Sequence, residues 1–293
     1  MTEALKQITF TVDITTLHAD YQGVVFFGNY AKFVGEGVEA AKKANMLPDF
    51  AISELQIKYR KPLLNNTKAK IELNFPTYTN QSEIEVSFSI YDDTGALASS
   101  GYLKLNKDQV MLKGETQDEK IRHGFKDPNT YVIAVDDTSS PYLAITAKKE
   151  QGHNYAAFFS ILKYVTQTSA KFKKDKQLDC WFMVAQLDAR FNTAVPLELQ
   201  HNEINVEMEA RRIPGKTKPI DFYYRLTTDK GKTIVAEVHM IELIVDPKQM
   251  KSIDIPKEVQ EKIFENRFSS LASLVRRVND RFEEFKKLKR FKQ

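Results

Sequence analysis

Residues 22–33 read QGVVFFGNYAKF, and residues 151–162 repeat the pattern as QGHNYAAFFSIL. The two stretches begin 129 residues apart, and each has a Gln-Gly pair ahead of an aromatic run. Two residues before the Gln the copies differ, since Asp20 stands in the first and Lys149 in the second. A repeat at this spacing indicates two related domains. A carboxylate in only one of them indicates a single chemical site.

The repeat continues downstream in the same order. Residues 52–64 (ISELQIKYRKPLL) match residues 182–195 (FMVAQLDARFNTAV), an alignment that places Arg60 with Arg190. Further on, Ile84, Val86, Phe88 and Ile90 match Ile220, Phe222, Tyr224 and Leu226. Insertions collect in loops, so an ordered match with a growing offset predicts one architecture used twice.

The composition is typical of a globular protein with two domains. A chain of 293 residues with 42% apolar and 28% charged residues can form two packed cores. The single cysteine, Cys180, provides no disulfide framework and fits a reducing, cytoplasmic compartment. No apolar leader opens the sequence, and no run approaches the roughly 18 apolar residues of a membrane span. We therefore expect a cytoplasmic protein without a membrane partner.

The net charge of +4 lies entirely in residues 281–293, which carry six Lys or Arg and two Glu. The neutral remainder lacks the basic face of a nucleic-acid-binding protein, so we expect no nucleic acid partner. Apolar residues spaced three or four apart over 264–288 predict a C-terminal amphipathic helix. Its apolar stripe would dock on this chain or on a second copy, giving a homo-oligomer. Its basic end could meet an acidic carrier protein, phosphate groups or a membrane surface, or be an ordinary solvated helix end.

Both halves have the same predicted order of elements, which is a strand, a loop, a helix and then further strands. Apolar residues at helical spacing predict helices over 29–44 and 156–172. The preceding strands are predicted over 8–14 and 131–135.

Two further patterns concern the first half. Residues 83–90 alternate apolar and polar, which is typical of a half-buried strand, and 97–105 follow as its hairpin partner. Gly35 and Gly37 are poor helix formers in mid-helix, and they indicate that another element packs closely there.

Residues 20–30, DYQGVVFFGNY, resemble the active-site loop of hotdog-fold acyl thioesterases of the 4-hydroxybenzoyl-CoA thioesterase type. That family has Asp, two residues, Gly, a valine-rich stretch and a Tyr that opens the central helix. Residues 23–35 also resemble the loop and helix of the enediyne polyketide thioesterases. Residues 57–63 (IKYRKPL) resemble the sequence that follows the helix in the 4-hydroxybenzoyl-CoA thioesterase type. The resemblance implies an α+β fold, a tandem (double) hotdog. Each unit would have a long central helix wrapped by an antiparallel sheet, with the C-terminal amphipathic helix added.

This resemblance implies four segments. Hotdog domain 1, with the catalytic loop, would span residues 1–110, and a linker would span 111–129. Hotdog domain 2, with a degenerate loop, would span 130–255, and the C-terminal basic helix would span 256–293. In this family the acyl site forms between two units, so one chain would build its own pseudo-dimer with two unequal pockets.

The implied activity is hydrolysis of an acyl-CoA or acyl-carrier-protein thioester, in fatty acid or polyketide metabolism, without a cofactor. Asp20 would be the catalytic carboxylate, which activates water or attacks the carbonyl carbon itself. Backbone N–H groups around Phe27 and Gly28, at the helix N-terminus, would stabilise the oxyanion. The side chains of Asn29 and Tyr30 would support them.

Several other residues are alternatives. Glu36 is an alternative acid, since some hotdog thioesterases use a helix Glu, but a helix-surface charge is more often solvated. His18 could orient a substrate or donate a proton, or be inert. His153 and Asn154 could line the second pocket, or have a structural role only. The five histidines and the cysteine show no metal-ligand spacing, so we expect no metal.

Two other classes of function fit the same fold. One is an acyl-carrier dehydratase, or a decarboxylase or acyltransferase of a biosynthetic pathway. Dehydratases of this fold typically pair a His with an acidic residue, and only His153 offers itself. The other class is a non-catalytic acyl-binding hotdog protein.

Overall fold

The computed structural model describes residues 6–19, 23–47, 50–76, 81–113, 129–131, 155–194, 205–228, 233–249 and 251–265. Four residues named above, Asp20, Lys149, His153 and Asn154, lie outside the described residues, as does the predicted C-terminal helix beyond residue 265. Of the strand predicted over 131–135, only its first residue is described.

Within its described residues, the first half of the chain contains one long helix and five strands. They are β1 (Lys6–Asp13), α1 (Phe27–Lys43), β2 (Ala51–Tyr59), β3 (Lys68–Phe75), β4 (Glu83–Tyr91) and β5 (Leu97–Asn106). Helix α1 begins two residues earlier than the sequence pattern predicts, so Phe27 and Gly28 belong to its first turn.

The second half begins with the same order of elements. They are β6 (Asn129–Tyr131), α2 (Tyr155–Asp175), β7 (Trp181–Phe191), β8 (Asn205–Arg212), β9 (Pro219–Thr228) and β10 (Thr233–Asp246). The described chain ends with β11 (Lys251–Ser252), the short helix α3 (Lys257–Gln260) and a π-helical turn (Glu261–Glu265).

The described strands form one antiparallel sheet in the order β1-β3-β4-β5-β2-β7-β10-β9-β8-β6, with β11 paired to β10. From the centre outward the first half reads β2-β5-β4-β3-β1 and the second reads β7-β10-β9-β8-β6. The two orders match element for element. Strands β2 and β7 pair at the centre, and we call this pairing the seam.

Two β-bulges recur in both halves and fix which residues correspond. Ser53 is the extra residue of β2 against β5, and Ala185 is the extra residue of β7 against β10. Because these bulges occupy the same place, Arg190 corresponds to Lys58. The alignment of Arg60 with Arg190 is therefore wrong by two residues, since Arg60 follows the end of β2.

The second recurring bulge confirms the alignment of residues 84–90 with residues 220–226. Ala98 is the extra residue of β5 against β4, and Val235 is the extra residue of β10 against β9. These bulges bring Ile90 into correspondence with Leu226, as the alternating pattern predicts.

The two long helices contact each other and bury their apolar residues against one face of the sheet. In α1 the side chains of Phe33, Val34 and Val38 are fully buried. A Cβ atom at Gly37 would lie 2.5 Å from Cδ1 of Leu73, so the mid-helix glycine permits close contact with β3. In α2, the ring of Phe172 packs edge-on against the ring of Phe222 of β9, with 5.9 Å between the ring centroids. Among the described helices, none has the length and apolar character that a membrane crossing requires.

Candidate active site at the start of helix α1

Helix α1 begins without a capping side chain from the described residues. Phe26 is its N-cap residue and provides no side-chain hydrogen bond, and the first turn contains no acidic residue. The N–H of Phe26 donates to the carbonyl of His18 over 3.0 Å, and the N–H of Asn29 donates to the carbonyl of Phe26 over 2.9 Å. The N–H groups of Phe27 and Gly28 lie between these two, and no acceptor for them is found among the described residues. They carry the positive end of the helix dipole.

The loop before α1 is held at both of its described ends. Ala19 forms an isolated bridge with Val25, and Val24 forms another with Leu64. Gly23 has a φ of +78°, a conformation that suits glycine, and its carbonyl accepts from the N–H of Asn65 over 2.9 Å. After residues 20–22, Gly23 and Val24 are therefore tied to the chain that follows β2, and before them Ala19 is tied to Val25.

Asn29 and Tyr30 connect the helix to these loops. The buried Asn29 amide donates to the carbonyl of His18 over 2.7 Å. The hydroxyl of Tyr30 accepts a 2.8 Å hydrogen bond from the N–H of Leu63. Burial raises the pKa of Tyr30 to about 12, so the phenol is neutral at physiological pH. These contacts fix the loop and the helix start relative to one another.

Tyr59, at the end of β2, is a site residue that the sequence reasoning missed. Its hydroxyl donates to the carbonyl of Phe27 over 3.0 Å, and its ring packs edge-on against Tyr30 at 5.1 Å. Burial raises the pKa of Tyr59 well above its usual value, so it acts as a donor. Tyr59 belongs to the stretch IKYRKPL. The resemblance of that stretch to the thioesterase family is the sequence signal that could have pointed to Tyr59.

His18 packs beside the same helix turn. Its Nδ1 accepts from the N–H of Thr15 over 3.1 Å, and its ring contacts the Phe33 ring edge-on at 5.4 Å. Partial burial lowers the pKa of His18, and the charge of Lys32 lowers it further. The imidazole is therefore neutral at physiological pH.

Glu36 is not brought to the helix start. It follows Phe27 by nine residues, which places it about 13 Å further along the helix axis. Its side chain is 50% exposed and lies 3.9 Å from the ammonium group of Lys32. Partial burial raises the pKa of Glu36, and Lys32 opposes that shift.

A separate cleft of about 210 Å³ lies at the seam and contains no residue of the α1 start. It is lined by Glu54, Leu55, Gln56, Tyr102, Asp188, Ala189, Arg190, Glu237 and His239. Among the described residues no group of three His, Cys, Asp or Glu side chains could hold a metal ion.

Comparison with known proteins identifies the fold. No family model matches the sequence, and a search of curated proteins finds no match. Solved structures do match over most of the chain. An acyl-ACP thioesterase from Bacteroides thetaiotaomicron has a TM-score of 0.52 at 9% identity, covering 80% of this chain and 97% of that one. The 12:0-ACP thioesterase from Umbellularia californica has a TM-score of 0.52 at 10% identity, covering 81% and 96%.

A third match is a protein of unknown function with a hotdog fold from Alicyclobacillus acidocaldarius. Its TM-score is 0.52 at 12% identity, covering 83% of this chain and 96% of that one. At sequence identities this low, the matches are evidence for the fold alone. The antiparallel sheet, the helices packed on one of its faces and these matches show that the chain has the hotdog fold found in acyl thioesterases.

Proposed function

We propose that this protein hydrolyses acyl thioesters carried by coenzyme A or by an acyl carrier protein. The observation that carries the proposal is the start of α1, for which the described residues provide no capping side chain. Two backbone N–H groups without a described acceptor, those of Phe27 and Gly28, directly follow a loop whose sequence includes Asp20. The activity that the names of the Bacteroides and Umbellularia structures give for those proteins supports the same chemistry.

In the proposed reaction Asp20 supplies the carboxylate. It either removes a proton from the attacking water or attacks the carbonyl carbon itself. As the new C–O bond forms, the carbonyl oxygen becomes negative, and the N–H groups of Phe27 and Gly28 stabilise it. Loss of one such donor typically costs on the order of a hundredfold to a thousandfold in kcat. When the C–S bond breaks, the electron pair leaves with the thiolate of the carrier. If Asp20 has attacked the carbon itself, water then cleaves the resulting acyl anhydride and frees the carboxylate.

The side chains around the helix start hold these donors in place. Asn29 bonds the loop at His18, Tyr30 bonds Leu63, and Tyr59 bonds the carbonyl of Phe27. An oxyanion site depends on donors that do not have to reorganise during the reaction. These three contacts support that requirement.

We also propose that the chain is a tandem of two hotdog units with one catalytic pocket. The units would span 1–110 and 130–255, joined by a linker over 111–129, with the basic segment 256–293 at the end. The matching strand orders and the shared bulges support this division. Because the second loop has Lys149 where the first has Asp20, His153 and Asn154 would line a pocket without this carboxylate. The single cysteine supports a reducing cytoplasmic compartment.

The test is an assay of butyryl-, palmitoyl- and benzoyl-CoA hydrolysis, in which the release of free thiol is measured. We expect turnover of at least one substrate by the wild type and a loss on the order of a hundredfold in Asp20→Asn, at unchanged thermal stability. Glu36→Gln is the matched control and keeps wild-type turnover. A wild type that binds acyl-CoA but releases no thiol would instead favour the non-catalytic acyl-binding protein. Wild-type turnover in Asp20→Asn would remove Asp20 from the mechanism.

A further inference from the structure

We infer that His18 is a second catalytic side chain of the proposed hydrolysis, as a neutral imidazole whose Nε2–H hydrogen-bonds the carbonyl oxygen of the substrate. The inference rests on the proposed function, because it assigns a residue to the same site. It depends on three observations: how His18 is held, which ring nitrogen carries the proton, and where the ring lies.

His18 is held through nearly all of its polar groups. Its backbone N–H donates to the carbonyl of Thr15 over 2.9 Å. Its carbonyl accepts from the N–H of Phe26 over 3.0 Å and from the Asn29 amide over 2.7 Å. The ring is fixed separately, because Nδ1 lies 3.1 Å from the N–H of Thr15 and 3.2 Å from the Thr15 hydroxyl. A side chain held in this way needs little reorganisation to interact with a ligand.

The contact with Thr15 also fixes the tautomer. A backbone N–H can only donate, so Nδ1 must accept and carries no proton. In the neutral ring the proton then resides on Nε2. No acceptor for Nε2 is found in the part of the chain that the structure describes. Partial burial and the neighbouring Lys32 lower the pKa of His18, which keeps the ring in this neutral form.

His18 lies beside the first two turns of α1. His18 is bonded to Phe26, the residue before the first turn of α1, and its ring packs on Phe33 of the same helix. In the sequence it precedes Asp20 by two residues. The assignment gives the Nε2–H the role of a third donor, beside the N–H groups of Phe27 and Gly28.

The assigned role involves no proton transfer. Loss of Nε2–H from a neutral ring would leave an imidazolate, which is far too basic to form at physiological pH. The hydrogen bond strengthens as the carbonyl oxygen gains charge and weakens again when the C–S bond breaks. His18 and the helix N–H groups thus act on the same oxygen, while Asp20 acts on the attacking oxygen or carbon.

Two amide substitutions at position 18 distinguish a catalytic role of the histidine from a structural one. In His18→Asn the amide oxygen can occupy the Nδ1 position and accept from Thr15, but no donor reaches the Nε2 position. In His18→Gln the longer amide can place an N–H near the Nε2 position. We expect kcat of His18→Asn to fall on the order of a hundredfold, with KM and the melting temperature close to wild type. We expect His18→Gln to keep more of kcat than His18→Asn.

Histidine ¹⁵N NMR on the full chain gives a readout independent of turnover. We expect an unprotonated Nδ1 in the free protein, and a shift of the Nε2–H resonance when a 2-oxoalkyl-CoA binds, a non-hydrolysable analogue that keeps the carbonyl oxygen. Wild-type kcat in His18→Asn, or equal losses in both variants with a lower melting temperature, would overturn the inference. If Asp20→Asn is inactive while His18→Asn keeps full turnover, this inference alone fails. If the wild type hydrolyses no thioester, the proposed function fails with it.

Discussion

The hydroxyl of Tyr59, in one of the two strands at the seam, donates a 3.0 Å hydrogen bond to the carbonyl oxygen of Phe27, at the first position of α1. The contact joins residues 32 positions apart. It connects the centre of the sheet directly to the helix turn that presents the proposed oxyanion donors. Because Tyr59 is partly buried, this hydrogen bond is partly shielded from competition by water.

Tyr59→Phe tests this connection. Removing the hydroxyl deletes the hydrogen bond and keeps the aromatic packing, so we expect the free energy of unfolding to fall by about 1 kcal/mol. We also expect kcat to fall while KM changes little, because the first turn of α1 is held less firmly. Urea denaturation and steady-state kinetics measure both. Tyr91→Phe is the control, since the structure shows no hydrogen bond from its hydroxyl within the described residues. An unchanged unfolding free energy in Tyr59→Phe would mean that this hydrogen bond contributes nothing.

Asp92, in the turn between β4 and β5, gives a prediction about pH. Its buried carboxylate pairs with the ammonium group of Lys61 and accepts hydrogen bonds from the Thr94 hydroxyl over 2.6 Å and the N–H of Ala96 over 2.8 Å. The contact with Lys61, more than any other, lowers the pKa of Asp92 below its usual 3.8. Since the folded-state pKa is the lower one, the carboxylate stabilises the fold above the unfolded pKa. That contribution is lost as the pH falls toward the folded pKa.

We therefore expect Asp92→Asn to melt below the wild type at pH 7. The gap should narrow as the pH falls below about 4, because the unfolded wild type then takes up a proton that the folded carboxylate does not. Melting curves between pH 7 and pH 2 give the measurement, and Asp93→Asn, at the exposed neighbouring position, is the control. A gap that stays constant down to pH 2 would contradict the assignment to the ionised carboxylate.

The sequence predicted the parts of the fold that depend on local pattern. Ile90 and Leu226 were aligned correctly because side-chain alternation marks a strand face whatever its partner. Residue identity pairs Arg60 with Arg190, because an identity carries no information about strand register. A β-bulge shifts the register by one residue without a mark in the sequence. The bulges at Ser53 and Ala185 became visible only through strand pairing.

In the candidate site, too, local sequence pattern predicts some residues, while contacts between distant elements determine the others. The sequence proposes Phe27 and Gly28 because the loop and the helix start adjoin in the sequence and resemble a known loop. Tyr59 was missed because its role depends on a contact between distant elements. The role of His18 was left open because the tautomer follows from the hydrogen bond of Thr15, which depends on the folded turn.

Gly37 gives a prediction about helix packing. Alanine is the better helix former by about 1 kcal/mol, so on propensity alone Gly37→Ala would stabilise α1. The added Cβ would lie 2.5 Å from Cδ1 of Leu73 and 2.8 Å from the Phe10 ring, and Leu73 is fully buried. We expect a net destabilisation of about 1–3 kcal/mol from overpacking.

A double-mutant cycle with Leu73→Val separates the two effects on Gly37→Ala. The smaller side chain makes room for the Cβ, so the double variant should be more stable than the sum of the single changes predicts. Urea denaturation measures each corner of the cycle. A stabilised Gly37→Ala single variant would show that the strands give way easily and that the glycine is not required for contact.

The buried ion pair of the second half has no counterpart in the first. Glu242 of β10 is 2% exposed, and its carboxylate lies 2.6 Å from the ammonium group of Lys173 on α2. Glu242 pairs with Val184, the residue before the bulge at Ala185. Leu105 holds the corresponding place in the first half, where it is fully buried. The fold thus accepts an apolar side chain at this position.

We therefore expect opposite results from single and double substitutions. Lys173→Met leaves a buried carboxylate without its ion-pair partner, and the free energy of unfolding should fall by about 3 kcal/mol. Lys173→Met combined with Glu242→Leu removes both charges and should lie within about 1 kcal/mol of the wild type, or above it. Urea denaturation at pH 7 measures both, with Lys171→Met on the exposed side of α2 as the control. If Lys173→Met were as stable as the control, solvent would already screen the pair. A double variant less stable than Lys173→Met would show that the ion pair itself specifies the packing of α2 on the sheet.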